Sequence, residues 1–343
     1  MGKKLVFGLV GCGRIANKHA KILSELDGAE LRYVCDIKRD RADKFAKEYK
    51  AKQFYDYSEL LKQKDIDVVD ICTPSGLHPE MTVKAARQGF HVVTEKPMAL
   101  NLEDADWMIE ECKKNGVMLF VVKQNRLNPP VQRAREALEQ NRFGKLFLLN
   151  TTVRWTRPQE YYDMDEWRGT KRFDGGVLLN QASHHVDLIL WFGGPVESVL
   201  AKVARLDHDI EVEDTAVALL KFKSGALGVI EATTCTYPHN LEGSLTILGK
   251  NGSVKIGGFA VNKIETWIFK DIRNEDQYIQ ESSTFPPDVY GYGHRVYLQN
   301  VIDTILGRAQ PYTDGYEGRK SLEVIMAIYK SAATGKEVKL PLK

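Results

Sequence analysis

Apolar residues follow two rhythms along this chain. Between residues 5 and 122, short apolar runs ("LVFGLV", "LRYVCD", "VVDIC", "HVVTE" and "MLFVV") alternate with amphipathic stretches such as "NKHAKILSEL", "RDRADKFAKEYK" and "MTVKAARQG". Strands this continuously apolar, separated by helices, predict a parallel sheet covered on both faces. Right-handed crossovers then make the fold doubly wound, with its ligand edge at the carboxyl ends of the strands. After about residue 144 the pattern changes to strict alternation. "GKLFLLNTTVRW" reads as a strand, "DTAVALLKFKSGALGVIEATTCTY" as a hairpin turning at Ser224-Gly225, and "SLTILGKNGSVKIGG" as another turning at Asn251-Gly252. The second half is therefore expected to be α+β with a mostly antiparallel open sheet. The predicted division is residues 1–125 and 126–343, and the amphipathic segment "EGRKSLEVIMAIYKSA" is expected to pack back onto the body.

Composition narrows the classes. A chain of 343 residues is comfortable for two cores. A net charge of +2 speaks against a nucleic-acid binder, which carries a clustered basic surplus. No apolar run approaches the roughly 20 residues of a membrane span. "MGKKLVFGLVGCG" runs straight into a strand, so neither a signal peptide nor a myristoylated Gly2 arm is expected. Five cysteines (Cys12, Cys35, Cys72, Cys112 and Cys235) without CxxC spacing fit a reducing cytoplasm. The eight histidines show no zinc-ligand spacing, and no metal is expected.

The chemistry begins at Gly11-x-Gly13-x-x-Ala16, set between a strand and a helix. Gly11 allows a tight turn, Gly13 lets backbone approach a pyrophosphate, and Ala16 permits close helix packing. The helix start at Arg14 and Ile15 offers N–H groups to phosphate. Asp36, twenty residues past Ala16 at the end of the next strand, can accept both ribose hydroxyls and would repel a 2′-phosphate. That favours NAD over NADP, although Lys38 and Arg39 follow closely. "TPSGLHPEM" and "EKP" sit at strand ends on the same edge, which places Lys96 where a nicotinamide would react; the bond before Pro97 is a candidate for cis. "FDGGVLLNQASHHVDLILWF" reads as one helix with Asn180 and His184 four apart on one face and His185 about 100° away. Residues 154–172 carry Arg154, Arg157, Tyr161, Tyr162, Trp167, Arg168, Lys171 and Arg172, a set able to grip carboxylates and phosphates.

Together, the glycine loop with Asp36, "EKP" and "DGG…NQASHHVD" resemble the Gfo/Idh/MocA family of NAD(P)-dependent oxidoreductases over nearly the whole chain. Longer strings ("WTRPQEYYDMDEWRGT", "NLEGSLTILG", "VYGYGH") are similar to members that oxidise C3 of UDP-2-acetamido-2-deoxy-D-glucuronate for bacterial surface polysaccharides. The resemblance implies a Rossmann domain binding NAD, a substrate domain that also forms a homodimer or tetramer, and a UDP-sugar substrate. It implies Lys96 and His184 as catalytic residues. Along the cofactor it places Gly11, Gly13, Arg14, Ile15, Asp36, Thr73, His78, Glu95, Lys96, Gln124, Trp167 and Arg168. Around the substrate it places Lys96, Arg157, Tyr161, Arg168, Asn180, His184 and His294. Many members carry aspartate where this chain has Asn180, so a Lys/Asp/His relay is not implied here. The alternatives are another sugar or inositol dehydrogenase of the family and a non-catalytic NAD-binding regulator. The presence of both Lys96 and His184 speaks against the regulator.

Overall fold

A computed structural model describes residues 4–286 and 288–342. Gly2 lies outside the described residues. The chain divides into two compact units. One comprises residues 1–122 and 294–319, the other residues 123–293 and 320–343. A later stretch of chain, residues 294–319, thus groups with the first unit.

The first unit is built on six strands: β1 Leu5–Val10, β2 Ala29–Cys35, β3 Lys52–Phe54, β4 Val68–Ile71, β5 His91–Thr94 and β6 Leu119–Val121. They lie in the order β3-β2-β1-β4-β5-β6, and every pairing is parallel. All residues of β1 and β4 are buried, as strands covered on both faces require. β3 escaped the sequence reading because "KQF" is three residues long and largely exposed, leaving no apolar pattern.

The second unit holds an eight-stranded sheet: β7 Leu146–Arg154, β8 Val196–Ala204, β9 Thr215–Phe222, β10 Leu227–Thr233, β11 Glu242–Gly249, β12 Gly252–Gly257, β13 Lys263–Phe269 and β14 Val338–Lys339. Its order is β13-β12-β11-β7-β10-β9-β8-β14, antiparallel except for β7 beside β10. The β9–β10 hairpin turns where expected; in the next, Lys250 and Asn251 link β11 to β12. One face buries Leu149, Val153, Ile230, Leu245 and Ile247, and the helix Ser183–Gly193 packs on β7, β10 and β11. Full burial of such side chains contributes about 1.5–3 kcal/mol each.

One predicted element is shorter than expected. The helix around His184 starts at Ser183. Upstream, Gly175 adopts φ +78°, where a side chain would be strained. Glu213 takes two N–H groups just beyond Gly175: its carbonyl accepts from Val177 at 3.0 Å and its carboxylate from Leu178 at 3.1 Å. Asn180 N–H then reaches Gly176 O at 2.9 Å while Ala182 N–H reaches back five residues to Val177 O at 2.8 Å, so the segment is a turn rather than a continuous helix, and Asn180 belongs to that turn.

Candidate active site

The glycine loop leaves β1 and opens the helix Arg14–Glu25. Gly11 has φ +86°, and a Cβ there would lie 2.9 Å from the Cys72 carbonyl and the Thr73 nitrogen, so the turn accepts glycine alone. Gly13 faces open space, with nothing within 4 Å of a Cβ. The helix beginning at Arg14 and Ile15 carries neither a capping side chain nor an acidic residue in its first turn. Such an end suits a phosphate, which meets backbone N–H groups and the positive end of the helix dipole. Asp36 is fixed beside this loop, accepting from Cys12 N at 2.7 Å and Lys38 N at 2.8 Å. Arg39 stacks 4.2 Å from the Tyr55 ring centroid.

The turns after β4 and β5 are bound to one another. Buried His78 contacts the Pro97 carbonyl through Nδ1 and the Thr73 carbonyl through Nε2, both at 2.9 Å. Burial lowers its proton affinity below the ordinary value. Lys96 is half-buried, and the Lys96-Pro97 bond is cis.

Directly behind Lys96 lies a cluster that the sequence reading missed. His19 is wholly buried, with Nδ1 2.8 Å from Asp70 Oδ2 and Nε2 3.0 Å from Glu95 Oε1. Glu95 Oε2 accepts the Lys96 backbone N–H at 3.1 Å. His294 is buried too, its Nε2 3.7 Å from Glu95 Oε1 and its ring 5.4 Å from that of His19. Burial pushes His294 down to about 4. Two signals were available. His19 occupies the apolar stripe of its helix with Ala16, Ala20 and Leu23, and Asp70 interrupts the buried run "VVDIC".

In the second unit, His184 is the second residue of its helix and meets Gln124, Nε2 to Nε2, at 3.1 Å. Gln124 is buried, and its Oε1 has no hydrogen-bond partner among the described residues, as suits an amide that meets a ligand donor. His185 points away into the core, edge-on to Trp155 at 5.8 Å. One turn beyond His184, buried Asp187 accepts from Arg126 at 2.7 and 2.8 Å and lies 3.8 Å from Lys123 Nζ. Burial opposes the charge of Asp187, yet the Arg126 and Lys123 cations outweigh it and hold the carboxyl below its ordinary value.

The basic aromatic stretch resolves into distinct parts. The Arg168 guanidinium lies 4.5 Å from the centroids of both Tyr161 and Trp167 and donates to Tyr161 Oη at 2.8 Å. Arg157 lies 5.2 Å from Trp155 and from Tyr161. Stacked arginines keep their in-plane donors available to carboxylate or phosphate. Arg154 is instead consumed by Glu231 and Glu242, and Tyr162 is buried against Thr234. The Asn180 side chain donates to Asp174. An aspartate at 180 would therefore meet a second carboxylate, a local cause for asparagine that the sequence did not show.

The profile of the oxidoreductase family's NAD-binding Rossmann fold matches residues 5–123, and that of its C-terminal alpha/beta domain matches residues 135–340. Among curated relatives, a myo-inositol 2-dehydrogenase of Thermotoga maritima is 30% identical over 339 residues, covering 97% of this chain and 98% of its own. Two solved structures are more similar. The WlbA dehydrogenase of Chromobacterium violaceum, in complex with NADH and UDP-GlcNAcA, is 48% identical with TM-score 0.95, covering 100% of this chain and 98% of its own. The Bordetella pertussis WlbA dehydrogenase, with the same two ligands, is 46% identical with TM-score 0.94, covering 100% and 99%.

Proposed function

Because the chain belongs to the Gfo/Idh/MocA oxidoreductase family, we propose that it oxidises the C3 hydroxyl of UDP-2-acetamido-2-deoxy-D-glucuronate with NAD⁺. The observation that carries this reading is the end-to-end likeness, at 48% and 46% identity, to two dehydrogenases crystallised with NADH and UDP-GlcNAcA. The residues fit the cofactor: Gly13 leaves open the space a Cβ would fill, and Gln124 carries a buried amide oxygen awaiting a donor.

NAD⁺ supplies the hydride acceptor. Asp36 selects the cofactor's ribose through its negative charge. His184 is assigned the proton of the C3 hydroxyl, because a neutral imidazole accepts a proton near working pH. Lys96 is assigned the oxygen, where an ammonium stabilises developing alkoxide charge. Arg157 and Arg168 supply forks for the uronate carboxylate or the diphosphate.

The product would feed surface polysaccharide synthesis in the cytoplasm. A homodimer or tetramer is supported by the exposed Leu200, Val217, Leu219 and Leu227 on β8, β9 and β10, with Leu200 paired to Leu219 in register.

The test follows NADH absorbance when the purified protein meets UDP-GlcNAcA, uncharged UDP-GlcNAc or myo-inositol, with and without 2-oxoglutarate. NADH formation, or turnover of 2-oxoglutarate, with the uronic acid alone supports the reading. Reduction with myo-inositol alone moves the protein to the inositol dehydrogenases. No oxidation of any alcohol leaves the regulator.

A further inference from the structure

His19 lies on the buried face of the helix Arg14–Glu25, between two carboxylates. A neutral imidazole has one N–H and would turn a lone pair toward either Asp70 or Glu95; an imidazolium donates to both. Burial works against that charge, but the Asp70 carboxylate in contact with the ring outweighs it and holds His19 well above its ordinary value. For Glu95 the balance runs the other way. Burial would raise it, and the hydrogen bond from His19, with His294 Nε2 3.7 Å away, holds it well below the usual carboxylate range. The network reaches the turn through the bond from Lys96 N–H to Glu95 Oε2.

We propose that His19 is a positioning residue for Lys96, fixing the charge and direction of the Glu95 carboxylate and, through it, the turn that carries the Lys96 ammonium. This rests on the reading of Lys96 as the group that meets the substrate oxygen. His19's own helix and three further segments bring titratable groups near it. Its own helix carries Lys18; β4 and its end bring Asp70 and Cys72; the turn after β5 brings Glu95 and Lys96; the helix Gly293–Ile305 brings His294 and Tyr297. Burial keeps Cys72 a thiol, pushed up to about 12, and shifts Tyr297 upward as well. Neither enters the balance near neutrality.

Without the His19 cation, the Glu95 carboxylate stays buried but loses the hydrogen bond that holds its proton affinity down, and that affinity rises. His19→Asn should therefore lower kcat roughly 30- to 100-fold, with KM values within about threefold. Its kcat–pH profile should gain a second ionisation in the neutral range beside that of the His184 base, so that activity rises more steeply with pH than in wild type. Glu95→Gln should lose kcat comparably without the new ionisation, and the double variant should lose little more than the larger single. Thermal melts of each variant separate these effects from loss of fold. Near-wild-type kcat in both single variants overturns the proposal, as does an additive loss with a wild-type pH profile. If His19→Asn does not fold, Glu95→Gln carries the same kcat prediction. Turnover by wild type tests the substrate reading separately. If wild type turns over no UDP-sugar, the pH dependence of Lys96 labelling by acetic anhydride, read by mass spectrometry, decides: a shifted profile in His19→Asn or Glu95→Gln supports the proposal, and superimposable profiles overturn it.

Discussion

Each unit buries an ionic group next to a residue assigned to the reaction, and the two groups are opposite in kind. In the first unit, Asp70, Glu95 and the His19 imidazolium sum to one negative charge (two anions, one cation) behind Lys96. In the second, Lys123, Arg126 and Asp187 sum to one positive charge (two cations, one anion) a helical turn from His184. The cations differ more than the sums. Arginine and lysine stay charged across the working range, whereas histidine titrates within it. The second group is thus a permanent clamp, holding the segment bearing Gln124 to the helix bearing His184. The first can be opened by pH.

The harshest way to break this comparison is at the clamp. Asp187→Asn removes the carboxylate that Arg126 and Lys123 share and should cost about 3–5 kcal/mol in urea unfolding, with little dependence on pH near neutrality. Less than about 1 kcal/mol would show that the clamp is not a clamp.

Next come the two residues in front of the groups. Lys96→Ala and His184→Asn should fold and lose turnover by roughly a hundredfold or more. His185→Asn should cost stability instead, since that ring packs on Trp155 in the core. Equal losses of turnover at His184 and His185 would contradict the placement of His184 at the site.

The pH dependence of stability sharpens the contrast. His294 is depressed from 6.5 to about 4, so below pH 6.5 the unfolded chain takes up a proton that the folded one refuses. Stability should fall from pH 6.5 toward 4 by up to about 1.4 kcal/mol per unit from this group, with His78 acting in the same direction. His19 is raised, so its contribution is complete below pH 6.5 and is lost as pH climbs through its folded value. Thermal melts across pH should show His294→Asn flattening the acid limb alone. An unchanged acid limb would remove His294 from the account.

The smallest effect lies at the cofactor. Asp36→Ser should shift the NAD-to-NADP preference by about tenfold, or about 1.4 kcal/mol, in the ratio of kcat/KM values. A wild type that already prefers NADP would overturn the role given to Asp36.

Much of this was legible in the chain. The parallel sheet, the antiparallel sheet and the hairpin at Ser224-Gly225 followed from apolar periodicity, because burial on one face or two imposes it residue by residue. The glycine loop was legible because φ +86° at Gly11 and the close approach of Cys72 demand glycine at that position. The turn at Asn180, where a helix was expected, was not, because Val177 and Leu178 donate to Glu213, distant in sequence.

The sequence by itself determined most of the elements, the cofactor loop and the positions of the two side chains assigned to the reaction, since these depend on local backbone geometry and on neighbours a few residues away. Tertiary structure alone decided which charges meet. His19 finds Asp70 across 51 residues and Glu95 across 76, and Arg126 finds Asp187 across 61. No periodicity encodes such pairings. Sheet order and packing bring the groups together, and low dielectric makes each buried charge depend on the partner it is given.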